Sequence, residues 1–342
     1  MHYRHDENRL PGRKRPLSAL ALPASAVLLV CLASVPFTSQ GSDSGAAILR
    51  TPDPGDGIPF YLEGRLWNDK KAFIDSGGRC ATIAPEAADQ KDIDNRLQGF
   101  LSSREAFFTA GRAPGSVTVQ VWVHVINAGT GITNGDVPQS QIDDQISVLN
   151  SAYGGAYGGV DTPFRFVLAG VDRTTSPTMF SMAPGSTAEH HMKSLLHKGN
   201  AQTLNLYVVR PRGGTLAWSS FPWDYARRRK DDGVVLLYST LPGGSAAPYN
   251  QGRTATHEIG HWLGLLHTFQ NGCKQPGDHV ADTPYESKPA YDCTDGRDTC
   301  PGKPGTDPVH NFMDYTDDGC VDQFTADQSA RMDALTLQYR GL

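Results

Sequence analysis

The residues that concentrate chemistry lie in one stretch, His257-Glu258-Ile259-Gly260-His261-Trp262-Leu263-Gly264-Leu265-Leu266-His267. Two histidines four positions apart on a helix are separated by about one turn, so His257 and His261 present both imidazoles to one point. On an unbroken helix His267 would sit about 240° round from His261 and about 9 Å further along the axis, out of reach of that point. The helix must therefore end between them, and Gly264 is the residue able to take the left-handed conformation that ends it. Three neutral imidazoles with an open fourth position form a catalytic zinc pattern, because structural sites close that position. Glu258 is not needed as a ligand. Its expected role is general base toward the water that the metal activates, then proton carrier to the leaving amine.

Asn311-Phe312-Met313-Asp314-Tyr315 follows further along, with Met313 46 residues after His267. Together the two segments resemble the metzincin metallopeptidases. The longer strings His-Glu-Ile-Gly-His-Trp-Leu-Gly-Leu-Leu-His-Thr-Phe and Asn-Phe-Met-Asp-Tyr-Thr-Asp-Asp-Gly-Cys resemble the pappalysin (cytophagalysin-like) family. That resemblance covers roughly residues 117–340. It implies a Met-turn at Met313 beneath the metal, and Tyr315 as the hydroxyl that stabilises the oxyanion of the tetrahedral intermediate. It also implies calcium in the loop after the zinc motif, held by Asp278, the Val280 carbonyl and Thr283. Outside Cys31 the chain has five cysteines, an odd number: Cys80, Cys273, Cys293, Cys300 and Cys320. The four in the C-terminal part allow three pairings. The family pattern implies Cys273–Cys300 and Cys293–Cys320. Cys80, in Gly78-Arg79-Cys80-Ala81-Thr82, then resembles a cysteine switch whose thiolate takes the open zinc position in a latent form. Relatives often carry glycine after that cysteine, where this chain has Ala81. In some relatives an acidic residue directly before the last cysteine favours basic substrate side chains. Here Gly319 stands there, with Asp317 and Asp318 before it, so preference for Arg or Lys is left open.

The elements that must position these groups are legible as periodicities. Val117 to Val125 alternates as a strand, and Phe164–Gly170, Leu204–Val209 and Val234–Tyr238 read as further strands. Ser140–Tyr153 reads as a helix with Ile142, Ile146 and Leu149 on one face. Helices are also expected over Ala188–His197, about Arg253–Leu265, and Ala326 to about Tyr339 behind Thr325 as cap. Gly213 to Ser219 is expected to supply an edge strand that binds substrate main chain by strand addition. Residues 268–323 are nearly all loop. The expected fold class is thus α/β (α+β) and metzincin-like. A twisted mixed sheet with two long helices forms the upper half. The lower half is irregular and disulfide-stapled, with the Met-turn and a C-terminal helix.

Arg13, Lys14 and Arg15 precede an apolar run from about Leu17 to Val35 and then small and polar residues, the order of a secretory leader. The expected organisation is a signal peptide over residues 1–40, a propeptide over 41–112 and a zinc metallopeptidase catalytic domain over 113–342. The net charge of −5 argues against nucleic acid or an anionic membrane as partner. The basic run Arg227–Lys230 is followed at once by Asp231 and Asp232 and reads as a solvated loop. The function expected is a secreted, extracellular zinc-dependent endopeptidase made as a latent proenzyme and acting on proteins or peptides. It would need one zinc ion and, by the resemblance, calcium. The competing reading is a catalytically silent zinc protein that binds peptides.

Overall fold

A computed structural model describes residues 57–103 and 111–342, all within the unit Thr51–Leu342. The expected leader and the start of the expected propeptide lie outside the described residues. The first described segment forms a hairpin, β1 (Phe60–Leu62) with β2 (Arg65–Trp67), then helices α1 (Lys70–Asp75) and α2 (Ala87–Ser102). Sequence periodicity shows few strand signals here, and the two strands are only three residues each.

The main sheet contains β3 (Val117–Asn127), β4 (Phe164–Thr175), β5 (Thr203–Val209), β6 (Ala217–Ser219) and β7 (Val234–Leu237) in the order β4-β3-β5-β7-β6. The first four in that order pair in parallel, and β6 runs antiparallel on the edge. Strands β5 and β7 are buried along nearly their whole length, which is why they read as continuous apolar runs. Helix α3 (Gln139–Tyr153) packs on β4, and α4 (Thr187–Leu196) follows it in the chain. The mixed sheet and its helices match the metzincin-like α/β expectation.

Helix α5 (Arg253–Leu263) lies between the sheet and the C-terminal helix α6 (Ala326–Tyr339), and every one of its residues is buried. It ends two residues before the expected Leu265. Gly264 takes φ +109° there, its N–H donates to His261 O, and the Leu265 N–H donates to Gly260 O. A Cβ at Gly264 would stand 2.5 Å from Leu335 Cδ1, so close packing as well as backbone conformation demands glycine. Thr325 begins α6 with a capping box: Gln328 N–H donates to Thr325 Oγ1 and Thr325 N–H to Gln328 Oε1. The loop region between α5 and α6 is stapled by the interleaved disulfides Cys273–Cys300 and Cys293–Cys320.

Candidate metal centre

The end of α5 and the turn after it bring four side chains to one point. Ligand atoms of His257, His261, His267 and Cys80 all lie within 4.8 Å of one another, and all four residues are buried. The Nε2 atoms of His261 and His267 are 3.0 Å apart, and Cys80 Sγ is 3.7 Å from His261 Nε2. His257 Nδ1 donates to the Phe312 carbonyl at 2.7 Å and His261 Nδ1 to the Leu265 carbonyl at 2.7 Å. These bonds fix the tautomer, so both Nε2 atoms carry a lone pair. Burial and, for His257 and His267, the neighbouring His261 hold both imidazoles well below the usual histidine range. Burial likewise brings His261 down to about 4. His257 Nε2 has no hydrogen-bond partner among the described residues. Burial and the Glu258 carboxylate push the Cys80 thiol well above its ordinary range. Neutral, converging nitrogens beside a sulfur fit a zinc ion by chemistry and by number.

Beneath the site, Met313 lies against α5 where Gly260 leaves room: a Cβ on Gly260 would be 2.4 Å from Met313 Sδ. Asn311 Oδ1 accepts from Met313 N–H, and buried Asp314 Oδ1 accepts from Tyr315 and Ala290 N–H. The turn places the Tyr315 hydroxyl 3.1 Å from His267 Nε2.

Glu258 is fully buried, and burial pushes its carboxyl up to about 7, against the lowering effect of the Cys80 thiol, the Thr82 hydroxyl and Arg79. Its Oε2 accepts from Thr82 Oγ1 at 2.8 Å, and that hydroxyl in turn accepts from Ser219 N–H on β6. The segment around Cys80 also pairs with the main chain at the β6 edge. Leu216 N–H donates to Gly78 O, and Ala81 N–H donates to Ala217 O. Arg79 is fully buried, with Nη1 3.5 Å from Thr254 Oγ1 and the guanidinium carbon 5.2 Å from the centre of the Tyr249 ring. Buried Asp318 lies close enough for Arg79 to act on it: burial raises its carboxyl to about 6 and the Arg79 charge opposes the rise. Sequence reasoning assigns no role to Arg79 or Thr82. The signal that could have found Thr82 is its spacing, because alternate residues on an extended chain point to the same side and Thr82 is two places from Cys80.

The loop after the zinc motif holds a second polar cluster. Asp278 and Thr283 are buried, and Asp278 Oδ2 and Thr283 Oγ1 have no hydrogen-bond partner among the described residues. Asp278 Oδ1 accepts from Val280 N–H, and burial pushes this carboxyl up to about 7. Asp282 points elsewhere and accepts from Asp327 N–H in the first turn of α6.

The chain is similar to known metalloproteases. Residues 197–336 match the Peptidase_M43 family, described as pregnancy-associated plasma protein-A. An extracellular metalloprotease of Sordaria macrospora is 42% identical over 246 residues, covering 70% of this chain and 83% of the relative. An extracellular metalloprotease of Colletotrichum graminicola is 39% identical over 268 residues, covering 76% and 90%. Among solved structures, mirolysin in complex with compound 9 aligns with a TM-score of 0.57 at 29% identity, over 65% of this chain and 92% of that one. A promirolysin mutant from Tannerella forsythia aligns at 0.60 and 26% identity, over 76% and 94%. The chain belongs to the pappalysin family of metzincin-type zinc metallopeptidases and is a metalloendopeptidase.

Proposed function

We propose that this protein is a secreted endopeptidase, made as a latent proenzyme, in which His257, His261 and His267 hold the catalytic zinc and Cys80 takes the fourth position until maturation. The observation that carries this reading is the gathering of one buried, unpaired thiol with three imidazoles, two of them tautomer-fixed. When bound, zinc supplies Lewis-acid activation of water and of the scissile carbonyl. Glu258, rooted on α5 beside the first ligand, takes the proton from the attacking water and passes it to the leaving amine. Tyr315 donates its hydroxyl to the developing oxyanion. The β6 edge receives substrate main chain in place of residues 78–82.

Latency then has three parts, all from one extended segment. Cys80 meets the metal site, Thr82 ties the base Glu258, and Arg79 fills the buried space beside Tyr249 and Asp318. That space, with its acidic floor, favours a basic side chain in substrates once the pro-segment leaves. Asp278, Val280 and Thr283 form the calcium site, supported by the two unsatisfied buried oxygens. Secretion is supported by the leader-like order of residues 13–45 and by relatives named extracellular. No helix of the described residues is long and apolar enough to cross a membrane.

The test is digestion of casein by the processed protein with and without 1,10-phenanthroline, alongside Glu258→Ala. The reading expects chelator-sensitive cleavage, and loss of a general base costs about 10²- to 10⁴-fold. Absence of chelator-sensitive cleavage would favour a silent, peptide-binding zinc protein instead.

A further inference from the structure

The segment that carries Cys80 covers more of the molecule than the cleft. Beyond Thr82 it forms α2, which packs on helix α6. Helix α2 buries Ile93 and Leu97 against Ala334 and Leu335, with Leu101, Trp223 and Tyr339 at the edge of the same cluster. Its other side, with Lys91, Asp92, Asn95 and Arg96, is exposed. Asp94 stands beside the buried face and is held by the catalytic unit. His279 Nδ1 is 2.6 Å from its Oδ2, and Arg331 Nη2 donates to its Oδ1 at 3.5 Å. Arg331 is buried, and its Nε and Nη1 donate to the carbonyls of Gly264 and His279 at 3.4 Å each. The guanidinium is thus fixed within the catalytic unit, while the carboxylate it pairs with belongs to α2. The groove under α2 also adjoins the metal centre. Trp223 stacks on Phe221 with ring centres 4.5 Å apart, and Phe221 meets the His261 ring edge-on at 5.4 Å. Residues 83–86 carry the chain from Thr82 to α2, a span of at most about 17 Å.

We propose that the groove under α2 becomes an exosite in the mature enzyme, taking an amphipathic helix of a protein substrate that carries an acidic residue beside its apolar stripe. This rests on the proenzyme reading above and narrows its substrate class. Departure of α2 uncovers an apolar strip, Ala334, Leu335, Trp223 and Tyr339, and takes away the carboxylate paired with Arg331. A buried guanidinium left without its partner is costly, so a replacement carboxylate is favoured there. Helix α2 shows the pattern that fits: apolar residues at 93, 97 and 101, with an acid next to the first. Helix-in-groove recognition reads anchors at that spacing. Residues four apart rise about 6 Å along a helix but about 13 Å along an extended chain, so an extended peptide does not reproduce the fit. Helix α2 has no side-chain N-cap and carries Gly99 in its last turn, so its helical form depends on the seat. Two buried apolar side chains and one acidic anchor make a weak seat by themselves. Added to main-chain binding at the β6 edge, the same contacts act as a tether that raises the local concentration of the substrate. A protein substrate occupies cleft and groove together, whereas a released pro-segment has lost the metal position.

The experiment uses zinc-loaded mature enzyme and a short quenched peptide, alone or joined through a long flexible Gly-Ser linker to residues 86–102 of this chain. The linked substrate should show a KM about tenfold lower with kcat unchanged, as a seat of about 0.1 mM affinity gives at an effective concentration of about 1 mM. Ile93→Ser with Leu97→Ser in the attached helix should abolish the gain, and Asp94→Asn should remove most of it. In the enzyme, Ala334→Asp sets a carboxylate against the incoming apolar face. It should abolish the gain while the short peptide is cleaved at the wild-type rate. Free peptide 86–102 should compete with the linked substrate and leave cleavage of the short one unchanged. Inhibition of both would make the groove a latency device and overturn its role in substrate binding. A linked substrate no better than the short one, or a gain that survives loss of Ile93 and Leu97, overturns the inference while chelator-sensitive cleavage of the short peptide keeps the endopeptidase reading. A precursor as active as the mature enzyme on both substrates would remove the proenzyme reading and this inference with it.

Discussion

Thr82→Val is the perturbation that tests whether the segment around Cys80 is held down through the base Glu258 in the proposed latent form. Valine keeps the branched shape and the extended backbone but removes the hydroxyl that donates to Glu258 Oε2 and accepts from Ser219 N–H. A hydrogen bond to a charged group contributes about 1.5–3 kcal/mol, and a buried donor left unsatisfied costs about 1–3 kcal/mol. Allowing for overlap between the two, about 2–4 kcal/mol of docking energy is lost. At 1.4 kcal/mol per decade, the population with the pro-segment lifted rises about 30- to 1,000-fold. The assay is alkylation of Cys80 in the intact zinc-loaded precursor, followed on the Cys80 peptide by mass spectrometry, together with basal cleavage of a quenched peptide. Both rates should rise by the same factor, because both require the same opening. Unchanged rates would refute the assignment of Thr82 as a lock on the base. A rise in alkylation without a rise in cleavage would show that the segment loosens without exposing Glu258.

Three further outcomes follow from the geometry. Gly264→Ala combines a left-handed φ with a 2.5 Å approach to Leu335, so about 2–5 kcal/mol of stability should be lost, and zinc affinity with it, in thermal melts and metal-competition titrations. Asp232 is fully buried. Burial raises its carboxyl, but the Arg340 guanidinium, Ser220 and Trp262 outweigh this and hold it below the ordinary value. A lowered carboxyl stabilises the fold above the unfolded value of about 3.9 and loses that contribution as pH falls through the folded value. Asp232→Asn should therefore cost about 3–5 kcal/mol at pH 7 in urea titrations, and the difference from wild type should shrink below about pH 4. Asp278 has the opposite sign. Its carboxyl is raised to about 7 from an unfolded value of about 3.9, so the calcium-free fold loses stability as pH rises between those two values and carries the full cost above about 7. Calcium should offset that cost, so the calcium-dependent rise in melting temperature should be larger at pH 8 than at pH 6 and absent in Asp278→Asn. A melting temperature indifferent to a calcium-selective chelator at pH 8 would count against the site.

What the sequence shows and what it hides divide along physical lines. The metal motif is legible because its geometry is local: i, i+4 spacing and one glycine at a helix end dictate where three imidazoles go. The buried strands β5 and β7 and the capped helix α6 are legible for the same reason, since apolar runs and a Thr-x-x-Gln box are written in adjacent residues. Helix α5 stops two residues short of its apolar pattern. Leu263 and Leu265 continue that pattern on either side of Gly264, while the backbone turns at the glycine itself. The hidden features depend on contacts between distant parts of the chain. Nothing local marks Arg79 as the side chain that fills the space near Asp318, or Asp232 as the partner of Arg340, because each pair is joined only by the fold. The hairpin β1–β2 is hard to read because three-residue strands carry too few alternations to register.

The central claim is that Cys80 completes a zinc site built by His257, His261 and His267. Zinc-edge X-ray absorption on the intact precursor tests it directly, because a sulfur ligand at about 2.3 Å is resolved from nitrogen at about 2.0–2.1 Å. The account predicts one sulfur and three nitrogens in the precursor, and loss of the sulfur shell after maturation or in Cys80→Ala. A latent precursor whose zinc has only nitrogen and oxygen neighbours would contradict it.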